Sequence, residues 1–125
     1  MTRKLLILAL TPLLVACPPQ DEEASVRWDG GRPVFDADRG DCLHRVAVTI
    51  PAAGHTVVWS AEDPNFRGST PDCPLRFPVA YGAQPAGTQA DPVEAPPLGD
   101  RRGYAFEAQG ANASYRADFP VPAAE

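Results

Sequence analysis

Few side chains here could do covalent or metal chemistry: three cysteines, two histidines and one run of alternating carboxylates. Asp36, Asp38 and Asp41 alternate as the ligands of a hard-cation loop would. Their register departs from a calcium-binding hand, because Gly40, Asp41 and Ala47 stand where an oxygen ligand, a glycine and a glutamate belong. The three are weak candidates for a divalent ion, a solvated turn is their expected role, and no cofactor is expected. A hydrolase would need His44 or His55 to meet Ser60, Asp36 or Asp41 in one pocket. The chain has no GxSxG, no phosphate loop and no dinucleotide fingerprint, so it reads as non-enzymatic. Arg39-Gly40-Asp41 spells an adhesion tripeptide and Asn112-Ala113-Ser114 a glycosylation sequon, and both read as turns.

The remaining cysteine chemistry depends on where the chain travels. Arg3 and Lys4 precede an apolar stretch over residues 5–14, interrupted by Thr11 and Pro12. Ten residues are too few to span a bilayer, which takes about 20, and the layout is that of an export signal. At its end, Leu14-Val15-Ala16-Cys17 resembles the lipobox of bacterial lipoproteins. That resemblance implies cleavage before Cys17 and a diacylglyceryl thioether on its sulfur. Two or three acyl chains, at about 0.8 kcal/mol per buried methylene, exceed what stable anchoring needs. The resemblance also implies a location: Pro18 is not the Asp that retains lipoproteins in the inner membrane, so an outer-membrane, periplasm-facing site is expected. The chain divides into a removed signal (residues 1–16), a lipidated cysteine with an acidic tether (17–24) and one β domain (25–125). A tether of that length keeps the domain roughly 20 Å or less from the bilayer.

In an oxidising compartment the thiols left after lipidation, Cys42 and Cys73, are expected to pair. Cys42 shares strand parity with Val46, Val48 and Ile50, and Cys73 with Leu75, Phe77, Val79 and Tyr81, so both point to the apolar side. A bridge closing about 32 residues stabilises by roughly 3.5 to 4 kcal/mol on the chain-entropy model. A redox pair or half of a metal site are the alternatives, and no CxxC spacing supports them.

These residues need a scaffold, and composition points to strands. Fifteen prolines and ten glycines in 125 residues break almost any three-turn helix yet suit turns and strand edges. Alternation recurs at Val26 and Trp28, at 33–35, over 43–50, over 55–60 after the Gly54 turn, over 75–81, and in a hairpin built from Tyr104, Phe106 and Ala108 against Tyr115, Ala117 and Phe119. About seven short strands in one small domain predict an antiparallel β-sandwich, with a small closed barrel as the alternative. Leu98 and Tyr104, six residues apart before the penultimate strand, resemble the tyrosine corner of fibronectin type III and immunoglobulin-like domains. Trp28, Trp59, Phe77, Tyr104, Tyr115 and Phe119 are expected in the core rather than along a groove.

The net charge of −5 falls to −7 once Arg3 and Lys4 leave with the signal, the wrong sign for binding nucleic acid. The expected function is that of an envelope lipoprotein, a non-enzymatic accessory or protein-interaction domain near the membrane. Its expected partners are the membrane, through the lipid on Cys17, and an envelope protein. The alternative is a small-ligand binder or a protein inhibitor of the lysozyme-inhibitor kind.

Overall fold

The alternating segments pair as strands because each carries one apolar face that only a second layer can cover. The computed structural model describes residues 20–99 and 103–121, and the lipobox with Cys17 lies outside them. Among the described residues there are nine strands: β1 (Gln20–Glu23), β2 (Ser25–Asp29), β3 (Arg32–Asp36), β4 (Leu43–Ile50), β5 (Thr56–Glu62), β6 (Val79–Ala80), β7 (Gln89–Asp91), β8 (Gly103–Gly110) and β9 (Ala113–Pro120). They form a six-stranded sheet in the order β1-β9-β8-β4-β5-β7 and a three-stranded sheet β2-β3-β6. The protein is an all-β sandwich. Both sheets have free edges, so the closed-barrel alternative is set aside. The run β9-β8-β4-β5 follows the G-F-C-C′ order of immunoglobulin-type sheets.

The core lies between the sheets and is aromatic. Phe35 of the small sheet stacks on Phe106 of the large one at 4.0 Å, and Phe119 tilts against Phe35 at 5.2 Å. Trp59, Phe106, Tyr104, Tyr115 and Phe119 are buried, while Trp28 and Phe77 are half-buried and pack on the same cluster. The six aromatics expected in the core, and Phe106 with them, therefore belong to it. Leu98 packs against it and Tyr104 stacks on Phe119 at the start of the penultimate strand.

Three details differ from the sequence reading. Residues 20–23, expected as tether, form β1 and pair parallel with β9, from Gln20↔Ala113 to Glu23↔Arg116. An acidic QDEE segment has no apolar face to show in a pattern, and it joins an edge where backbone hydrogen bonds suffice. Residues 20–23 thus belong to the large sheet. The stretch 75–81 keeps its alternating burial but contributes only the two-residue β6 and a lone bridge between Cys42 and Arg76. Pro74 and Pro78 remove the donors a continuous ladder needs. Finally, β7 lies in the proline- and glycine-rich region, where polar Gln89 and Asp91 hide an edge strand. With β1 it raises the strand number from about seven to nine.

Candidate functional site

Strand directions place the main turns at two ends. Gln20 pairs with Ala113, so the chain enters the domain beside the β8–β9 turn. The start of β4, the loop of residues 63–76 and the disulfide lie at this N-terminal end, because Ala111 N–H donates to the Cys42 carbonyl at 2.9 Å and Asn112 Nδ2 to Ser69 Oγ at 3.3 Å. The β2–β3 turn, the β4–β5 turn and the loop of residues 93–98 lie at the opposite end.

Asp41 organises the N-terminal end. It is fully buried, and its Oδ2 accepts from the Asn112 amide and from the Tyr115 hydroxyl, each at 3.0 Å. Its Oδ1 accepts from Asn112 Nδ2 at 3.0 Å. Burial, followed by the bond to Asp41 and its charge, pushes the Tyr115 hydroxyl well above the usual phenol range. Gly110 is required here, since a Cβ would run into the Asp41 carboxylate. Asp41 is thus a structural latch across the β8–β9 turn.

The other candidate carboxylates do not join it. Asp36 accepts from the Ala37 amide at 2.8 Å, and Asp38 is exposed. No group of three possible metal ligands forms among the described residues. Arg39 is drawn to Glu22 at 2.7 Å while Asp41 faces inward, so the adhesion tripeptide is not displayed as a unit. Asn112 and Ala113 fall in the turn and at the start of β9, as a turn reading of the sequon requires.

The two histidines sit at opposite ends of the β4–β5 hairpin. His44 is exposed and stacks on Phe66 at 5.0 Å. His55 is exposed in the turn with φ 58°, next to Gly54 in the same left-handed region. Ser60 Oγ donates to the Asp91 carbonyl across the β5–β7 edge at 3.5 Å. The residues that a hydrolase reading would need together are therefore apart.

Cys42 and Cys73 form the expected disulfide. Arg76, which the sequence reading did not single out, spans it: its Nε and Nη2 donate to Cys73 Sγ at 3.3 and 3.1 Å. Its place in a lone bridge to Cys42 brings it there, and the only sequence signal was its spacing of three from Cys73.

A cavity of about 610 Å³ opens at the opposite end. It is lined by Gly30, Gly31, Arg32, Tyr81, Gly82 and residues 93–98. Gly30 and Gly31 both take positive φ, 58° and 81°, as a two-residue hairpin turn requires. Gly82, φ 81°, lets Ala95 come close: a Cβ there would meet the Ala95 methyl at 3.2 Å. The Tyr81 hydroxyl donates to the Pro96 carbonyl, which ties the proline-rich loop to the core, and burial, then the nearby Tyr104, pushes its pKa up to about 12. Val93 stands on the rim with 69% of its surface exposed. The sequence showed this site only as a Gly-Gly pair and a lone large apolar residue among prolines. Comparison with protein-family models, curated proteins and solved structures finds no match for the chain.

Proposed function

We propose that the protein is a lipid-anchored envelope domain, held at the membrane through Cys17, that presents its opposite end to a protein partner. The observation that carries this reading is the direction of β1. Only Pro18 and Pro19 separate Cys17 from the first strand, so a lipid on Cys17 would hold the N-terminal end within about 10 Å of the bilayer. The cavity rimmed by Val93, Arg32 and Glu94 then faces away from the membrane. The sheet edge at β1 is acidic and the overall charge negative, which favours solubility over burial in the headgroups.

The test is crosslinked co-purification from native envelopes, comparing the unaltered protein with Cys17→Ala and Val93→Asp. The expected result is a stoichiometric protein partner that is lost in both variants. An unmodified mass for the membrane-extracted chain, or a partner retained by Val93→Asp, would overturn the reading. A second reading, a small-ligand binder, draws on the size of the same cavity, which lies in the range of small-molecule pockets. Thermal stabilisation by a small molecule, abolished by Gly82→Leu, would favour it.

A further inference from the structure

We propose that the Cys42–Cys73 disulfide is a thiol–disulfide exchange site, attacked at Cys73 by the thiolate of a dithiol and assisted by Arg76. This inference stands independently of the membrane anchor and of the cavity at the opposite end.

The two sulfurs are not equivalent. Cys42 is buried, with 1% exposure, whereas Cys73 is half-buried and lines a cavity of about 310 Å³ together with Arg67, Thr70, Asp72 and Pro74. Cys42 does not line that cavity, so an approaching nucleophile meets Cys73 first. Exchange spreads negative charge over three sulfurs: the attacking, the central and the leaving one. Donors are already in place for two of them. Arg76 Nε and Nη2 lie 3.3 and 3.1 Å from Cys73 Sγ, and Nη2 lies 3.6 Å from Cys42 Sγ. The Thr70 amide donates to Cys42 Sγ at 3.3 Å. The Thr70 carbonyl holds Arg76 Nη2 in position at 3.0 Å. A neutral disulfide is a weak acceptor, so these donors strengthen most as charge develops on sulfur, and they favour the transition state over the resting bridge.

The carbonyl of Thr70 also lies 3.1 Å from Cys42 Sγ. A disulfide sulfur carries no hydrogen, so in the oxidised protein this is a close contact only. Once Cys42 is a thiol, its S–H donates to that carbonyl.

The chemistry balances as two displacements. The first thiolate of the dithiol bonds to Cys73 Sγ, the Cys42–Cys73 bond breaks, and Cys42 leaves as a thiolate beside Thr70 N–H and Arg76. The second thiol of the same molecule, as its thiolate, then attacks the dithiol sulfur bound to Cys73. This releases the Cys73 thiolate and closes the partner's own disulfide. Two electrons pass from the dithiol to the bridge, and its two protons end on Cys42 and Cys73.

The test uses the full chain with Cys17 blocked by its lipid or by prior alkylation, reduced with dithiothreitol and quenched with iodoacetamide. The expected reduction rate of the folded protein rises in proportion to dithiothreitol. A monothiol, glutathione, is expected to be trapped on Cys73, with alkylated Cys42 found by peptide mass. Arg76→Met is expected to slow reduction by about tenfold while folded, and to reduce at the unaltered rate in concentrated guanidinium chloride. A rate independent of dithiothreitol, which marks reduction only after opening, would overturn the proposal. Trapping on Cys42, or an unchanged rate in folded Arg76→Met, would do the same. The first two measurements need no variant, so a folding defect in Arg76→Met leaves the proposal open to refutation.

Discussion

At the scale of single residues, Asp41 shows how a carboxylate in a suggestive motif can be spent on the fold. Three donors from Asn112 and Tyr115 compensate its burial, and removing it takes the acceptor from all three. Asp41→Ala is therefore expected to cost about 3 kcal/mol, whereas Tyr115→Phe, which leaves the carboxylate with both Asn112 donors, costs about 1 kcal/mol. Urea midpoints of the two variants measure the difference, and equal losses would contradict it. The same burial sets an alkaline limit. Tyrosines in the unfolded chain ionise near pH 10, while Tyr81 in the fold is pushed up to about 12 and Tyr115 is also raised. Their contribution to stability is fully present below about pH 10 and is lost as the pH rises towards 12. Phenolate absorbance should show Tyr81 and Tyr115 still protonated at about pH 11 in the folded protein. Ionisation of all tyrosines with a midpoint near 10 and an intact near-ultraviolet dichroism would be the contrary result.

At the scale of elements, the β8–β9 hairpin was the most legible part of the chain. Tyr104, Phe106 and Ala108 pair with Phe119, Ala117 and Tyr115 in register, because strict alternation leaves only one register that buries both sets. Its turn depends on Gly110, and Gly110→Ala is expected to destabilise the domain by displacing the Asp41 latch, read as a lowered Tm with Ala108→Gly as a strand control. The disulfide closes a separation of 31 residues, so Cys42→Ala with Cys73→Ala should lose roughly 3.5 kcal/mol by denaturant titration. The edge strands were illegible for a definite reason. β1 and β7 contribute backbone hydrogen bonds at a sheet margin and bury little side chain, so polarity alternation does not report them. In the stretch 75–81 the opposite holds: the apolar parity is visible, and the prolines decide that little of it pairs.

At the scale of the whole molecule, the path of the chain separates two ends with different chemistry. The N-terminal end carries the latch and the Arg76-spanned disulfide, and the opposite end carries the Gly- and Pro-lined cavity with exposed Val93. Val93→Asp, at an exposed position, is expected to change stability by less than about 0.5 kcal/mol, so any loss of partner crosslinking can be assigned to that surface. A lowered melting temperature in this variant would instead make Val93 part of the packing. The sequence by itself determined the all-β class, the aromatic core and the pairing of Cys42 with Cys73. Each follows from local rules: proline excludes helix, period-two alternation selects a buried face, and the two cysteines of the strand-forming region pair with each other. Only the tertiary structure decided that residues 20–23 are a strand, that Asp41 is spent on Tyr115 and Asn112, and that Arg76 reaches both sulfurs. It alone also set the two histidines at opposite ends of one hairpin. Those outcomes depend on contacts between residues far apart in the chain, and such contacts exist only after the sheets have fixed which loops share an end.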